Sequence, residues 1–211
     1  MLRRQLIGAA LGVGLLLAPF TGALAWENEV EALKQRWEQI TTQRAEGQRR
    51  AALKSLAEEA ERLVEANPGT AQPLIWYGII EASHARERSG LGALGSARSA
   101  RDALERAIEI DPQGGNGSAY VTLGALYDRA PGRPIGFGNS STAERMFQRA
   151  LQIRPDGIDV NFYYATFLED EGRREEAREH AQRAVDGTAR EDRQASDEAL
   201  RQQARSLLSR L

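Results

Sequence analysis

An internal repeat constrains this chain more than any other feature. Tyr77 and Gly78 fall in one apolar helical stretch, and Leu104, Ala107 and Pro112 follow it in fixed register. Leu123 and Gly124 restate the first element, and Phe147, Ala150 and Pro155 restate the second with the same spacing. Within each unit the apolar residues recur at helical intervals, so each unit reads as two helices packed face to face. The small residue at Gly124 lets the second helix approach the first, and Tyr120, Tyr127 and Phe147 fill the space around it. Pro155 follows the second helix and helps to stop it. A unit of this kind cannot bury its apolar face alone, so it must stack on its neighbours.

A third unit follows Pro155. Asn161, Tyr164, Ala165 and Leu168 share its first helix face, Gly172 makes the turn, and Ala177, Ala181 and Ala184 form the second face. Helix pairs with a small residue at the crossing and a closing proline resemble the tetratricopeptide repeat (TPR). The resemblance implies an all-α, right-handed TPR-type helical solenoid. Three clear repeats with two inter-helix insertions are expected over residues 71–189. A degenerate helix pair precedes them over 26–70, and a capping helix over 190–211 closes the end of the stack. In the first pair, Trp26–Arg44 carries Val30, Leu33, Trp37 and Ile40 on one stripe, and Gln48–Ala66 ends at Asn67, Pro68 and Gly69. The tail carries Ala199, Leu200, Ala204, Leu207 and Leu208 on one face.

Residues 1–25 have a different composition. Arg3 and Arg4 precede an apolar run from Leu6 to Phe20, and Ala23, Leu24 and Ala25 form a small-x-small cleavage site. This is the three-part pattern of a secretory signal peptide, so a periplasmic protein starting at Trp26 is expected, by ordinary Sec export in preference to the twin-arginine route. The sequence holds no cysteine, which excludes disulfides, thiol chemistry and lipid attachment through a lipobox. The formal net charge of -2 gives no nucleic-acid footprint.

Two units depart from the repeat at the link between their helices. One inserts Ser89 to Ser96, the next Ala130 to Gly138. Equivalent insertions in a solenoid lie on the same edge, so the two are expected side by side, each leading into a helix start. Leu126, Tyr127, Pro131, Gly132, Pro134, Ile135, Gly136, Phe137 and Gly138, followed by an Ala/Phe helix, resemble the periplasmic T-component-like proteins of TRAP-type solute transporters. That resemblance implies a small-ligand binding or relay role, with an organic acid as ligand and transporter subunits as partners. Apart from that resemblance, the two adjacent insertions themselves offer a candidate loop site: His84, Arg88, Arg98, Arg133, Gly136 and Gly138. The arginines offer forked donors, the glycines close backbone approach, and His84 a switchable donor. Ser141 and Glu144 read as a capping box at the start of the following helix.

The inner surface of such a solenoid is lined by the first helix of each pair. By register, Ile75, Ile79, Ser83, Val121, Ala125, Asp128, Phe162, Thr166 and Asp170 face it, half apolar and half acidic, which suits an extended peptide or a partner helix. Gly90, Gly92 and Gly95 spell G-x-G-x-x-G, but a helix stands where a dinucleotide site needs a strand. His84 and His180 are the only histidines, and His180 reads as solvated. No cofactor, metal or catalytic site is expected. The first reading is an exported scaffold for a protein or peptide partner in the cell envelope, and the second the small-ligand component.

Overall fold

The computed structural model describes residues 22–211. The expected signal peptide lies outside the described residues except for its last four positions. Four helix pairs follow one another. They are α1 (Gly22–Gln43) with α2 (Glu46–Ala66), α3 (Ala71–Arg86) with α4 (Gly90–Ile110), α5 (Ser118–Arg129) with α6 (Ser140–Ile153), and α7 (Ile158–Asp170) with α8 (Arg174–Asp186). A short 3-10 turn, Glu191–Arg193, leads into α9 (Gln194–Leu208). Among the described residues there is no strand, and no helix is long and apolar enough to cross a membrane.

The repeated small residues sit where the paired helices cross. A Cβ on Gly78 would lie 2.5 Å from Leu104 Cγ, and one on Gly124 2.6 Å from Phe147 Cε1. In the third unit, Ala165 and Ala181 pack in one buried cluster with Leu207 of α9. Leu104, Phe147, Ala165 and Ala181 are all fully buried. The register read from the sequence is therefore the register of the packing.

The first insertion differs from its expected form. Ser89 to Ser96 is not a loop: α4 begins at Gly90 and runs 21 residues, where the uninterrupted α8 has 13. Leu94 and Ser96 are buried with Ala100, Ala103, Leu104 and Ala107, so the apolar stripe of α4 extends back through the glycines. Burial against α3 outweighs a helix-propensity cost of about 1 kcal/mol per glycine. The second insertion is a loop, folded on itself by Gly136 N donating to Gly132 O and Gly138 N to Pro131 O. The two insertions are neighbours: Arg98 donates from Nη2 to the Ile135 carbonyl at 2.9 Å.

The expected capping box is also replaced. The N-cap of α6 is Asn139, whose Oδ1 accepts from Thr142 N at 2.8 Å. Glu144 instead accepts from the Tyr164 hydroxyl and from Arg173, tying α6 to α7 and to the start of α8.

The odd-numbered helices form the inner layer. Each touches the next, and α9, packed on α7 and α8 as a cap should be, also touches α1. The inner layer thus closes on itself. Three contacts make the junction: Lys34 Nζ with Asp192 at 2.5 Å, Ser196 N donating to Glu38 Oε1 at 2.7 Å, and the Arg193 guanidinium stacked on Trp37 at 4.6 Å.

Candidate functional site: a cavity inside the helix ring

The closed inner layer surrounds a cavity of about 680 Å³. From α1 it is lined by Trp37, Thr41 and Thr42, and from α3 by Ile79, Ala82 and Ser83 among others. The extended start of α4 contributes Leu91 and Leu94, and α5 contributes Val121, Thr122, Ala125, Leu126 and Arg129. Asp159 and Tyr163 come from α7, Ala199, Leu200 and Gln203 from α9, and Pro131 and Ile135 from the inserted loop. The wall exposes more apolar than polar surface, as ligand pockets do, and four arginines, Arg86, Arg88, Arg129 and Arg193, stand in it.

The residues expected on the inner surface divide between wall and core. Ile79, Ser83, Val121 and Ala125 line the cavity. Ile75, 1% exposed, packs instead against the turn at Gly115. Phe162 does not face the cavity: it is buried with Ala184 and Ala204, because α9 docks over that face of α7. Tyr163 and Asp159 take the inner positions of α7. Thr166 donates to the Phe162 carbonyl, and Asp128 and Asp170 stand near each other outside the wall. Burial raises the Asp128 pKa, with Asp170 and Glu171 adding to the rise and Arg129 opposing it.

The loop candidates divide in the same way. Arg88 lines the cavity, its guanidinium lying over Gly92. Arg98 is occupied by the Ile135 carbonyl, and Arg133 is exposed and does not line the cavity. Gly136 and Gly138 face the loop's own backbone: a Cβ there would meet Pro131 O and Ala130 O. His84 is buried between α3 and α4, 3.3 Å from Ser96 Oγ, and burial lowers its pKa against the opposing charge of Glu81. His180 is half-buried rather than solvated. It packs edge-on to Tyr164 at 4.7 Å, and its Nδ1 lies 2.8 Å from Asn161 Oδ1. Its pKa is lowered chiefly by that burial.

Two charged groups of the wall escape sequence reasoning. Asp159 is buried. Burial alone would raise its pKa, but Arg190 at 3.1 Å and Arg154 at 2.6 Å prevail and hold it at about 2. Arg190 also forks onto Asp197, with contacts of 2.9 and 2.6 Å. Arg193 is 9% exposed and stacks over Trp37 and Trp76 at 4.6 and 5.5 Å. Its Nε has no hydrogen-bond partner, and burial lowers its pKa from the ordinary arginine value. No local pattern marks Arg193 in a charged tail. It matters because the ring brings it to Trp37. Among the described residues, no group of three or more His, Cys, Asp or Glu side chains is placed to hold a metal.

No family model matches the sequence, and no curated protein matches it. The structure is similar to that of TTC0263, a thermophilic TPR protein of Thermus thermophilus. The TM-score is 0.59 at 18% identity, over 75% of this chain and 74% of that one. It is also similar to MamA, with a TM-score of 0.50 at 14% identity, over 75% of this chain and 86% of that one. At these identities the likeness concerns the fold, and with the repeated helix pairs and their crossing residues it identifies the chain as an all-α solenoid of the TPR type.

Proposed function

We propose that this chain is an exported, non-catalytic scaffold that holds a segment of a protein partner in the cell envelope. One observation carries the reading. Leu91 and Ile135 are 84% and 63% exposed, the most exposed large hydrophobic side chains among the described residues, and both stand at the rim of the cavity. Isolated exposed apolar residues need no explanation, but two converging on the edge of a pocket form a lip that a partner's apolar side chains would cover. The TPR-type fold supports a binding role, and the basic, apolar and small-x-small order of residues 1–25 supports export. The test is affinity capture from envelope extract with wild type and with Leu91→Glu/Ile135→Glu. A partner retained by wild type and lost by the double variant supports the reading. A partner retained by both, with the fold intact, overturns the lip as its site.

A second reading is a small-ligand component working beside a TRAP-type solute transporter. It is supported by the cavity itself, whose 680 Å³ lies within the roughly 300–1,000 Å³ range of small-molecule sites.

A further inference from the structure

The cavity wall holds more arginines than carboxylates. Asp159 is met by Arg154 and Arg190, and Asp197 by Arg190. Four arginines of the wall, Arg86, Arg88, Arg129 and Arg193, have no carboxylate within ion-pair distance among the described residues, and of these Arg193 alone is buried. Asp159, Asp197 and Glu38 act on it electrostatically without pairing with it. Glu38 does not line the cavity, its Oε1 accepts from Ser196 N, and its Oε2 is buried without a hydrogen-bond partner. The indole faces of Trp37 and Trp76 offset part of the cost of burying the guanidinium and fix its plane. Its forked donors are left unused, and a buried guanidinium without acceptors is unfavourable until an anion supplies them.

We propose that Arg193 is the anchor of a carboxylate site, and that the cavity takes a small monocarboxylic acid with an apolar body. The acid group pairs with the Arg193 guanidinium. The hydrocarbon part lies against Ile79, Leu94, Val121, Leu126 and Leu200. Asp159, although in the wall, does not repel the ligand as a free charge, because two arginines already neutralise it. This deepens the small-ligand reading and rests on it. The bland account of Arg193 is a clamp that only holds the Glu191–Arg193 turn against α1, and it predicts no charge preference in the cavity.

The experiment is titration of the full chain with octanoate, phenylpropionate and the uncharged octanamide and octanol, read by calorimetry and by tryptophan fluorescence. Wild type is expected to bind the acids at least about tenfold more tightly than the amide and alcohol, with a change in indole emission as Arg193 is engaged. Arg193→Gln is expected to bind all four alike, and Arg193→Lys to keep part of the preference. Ala125→Trp fills the cavity without touching Arg193, and it is expected to abolish binding of all four while the protein remains folded. Equal binding of octanoate and octanamide by wild type, or an undiminished preference in folded Arg193→Gln, overturns the carboxylate site and leaves the small-ligand reading standing. Failure of all four to bind wild type overturns both.

Discussion

Gly124 lies directly beneath the ring of Phe147: a Cβ there would stand 2.6 to 2.8 Å from three ring carbons. Phe147 is fully buried and is itself packed against Tyr164 and Phe167, each with ring centroids 5.7 Å away. The ring has no room to retreat. Gly124→Leu is therefore expected to cost about 1–3 kcal/mol by overpacking. In a chain of this size each kcal/mol lowers the melting temperature by about 2–4 °C. Thermal melting followed by circular dichroism checks it, and an unchanged melting curve would contradict the crossing geometry.

Gly95 presents the opposite case. It lies inside α4, and a Cβ there would meet nothing within 4 Å. Gly95→Ala gains helix propensity and loses nothing in packing, so it is expected to stabilise the protein by about 1 kcal/mol. Denaturant unfolding measures the gain. Had Ser89 to Ser96 been a glycine loop, the substitution would bring no such gain.

Asp159 gives the protein a defined acid sensitivity. Its pKa in the folded protein is about 2, below the ordinary 3.8, because Arg190 and Arg154 outweigh the effect of burial. A depressed carboxylate pKa contributes stability that is fully present above the unfolded value and is lost as pH falls through the folded one. Asp159 is thus expected to supply about 2 kcal/mol at neutral pH that disappears between about pH 4 and pH 2. Asp159→Asn leaves Arg154 facing a neutral group in a buried setting and is expected to cost about 3–5 kcal/mol at neutral pH. Urea unfolding across this pH range should show the acid loss in wild type and a shallower one in the variant.

Export is expected to leave a mature chain beginning at Trp26. Cleavage after Ala25 would trim only Gly22 to Ala25 from the start of α1, upstream of the buried Val30, Leu33, Trp37 and Ile40. The folded part should therefore melt alike with and without the first 25 residues. Intact-mass measurement of protein from the envelope fraction decides the start, and a mass that retains residues 1–25 contradicts cleavage.

The sequence by itself determined the helix pairs, their order and their crossing points. These rest on contacts between neighbours in the chain, and the 3.6-residue periodicity of Leu123, Gly124, Tyr127 and of Ala143, Phe147, Ala150 records them directly. Boundaries were less legible where packing overrides propensity. Glycines at 90, 92 and 95 read as a loop, yet Leu94 and Ser96 bury against α3 and draw the segment into α4. The side of α7 that faces inward was also hidden, since Phe162 is apolar enough for either face and only the docking of α9 buries it. Tertiary structure alone decided the ring and its cavity. Ser196 meets Glu38 across a separation of 158 residues, and Arg193 meets Trp37 through the same junction. Periodicity within a helix fixes which face is apolar. The accumulated rotation from one helix pair to the next fixes where the last helix arrives, and that sum of small packing angles leaves no mark on any single stretch of sequence.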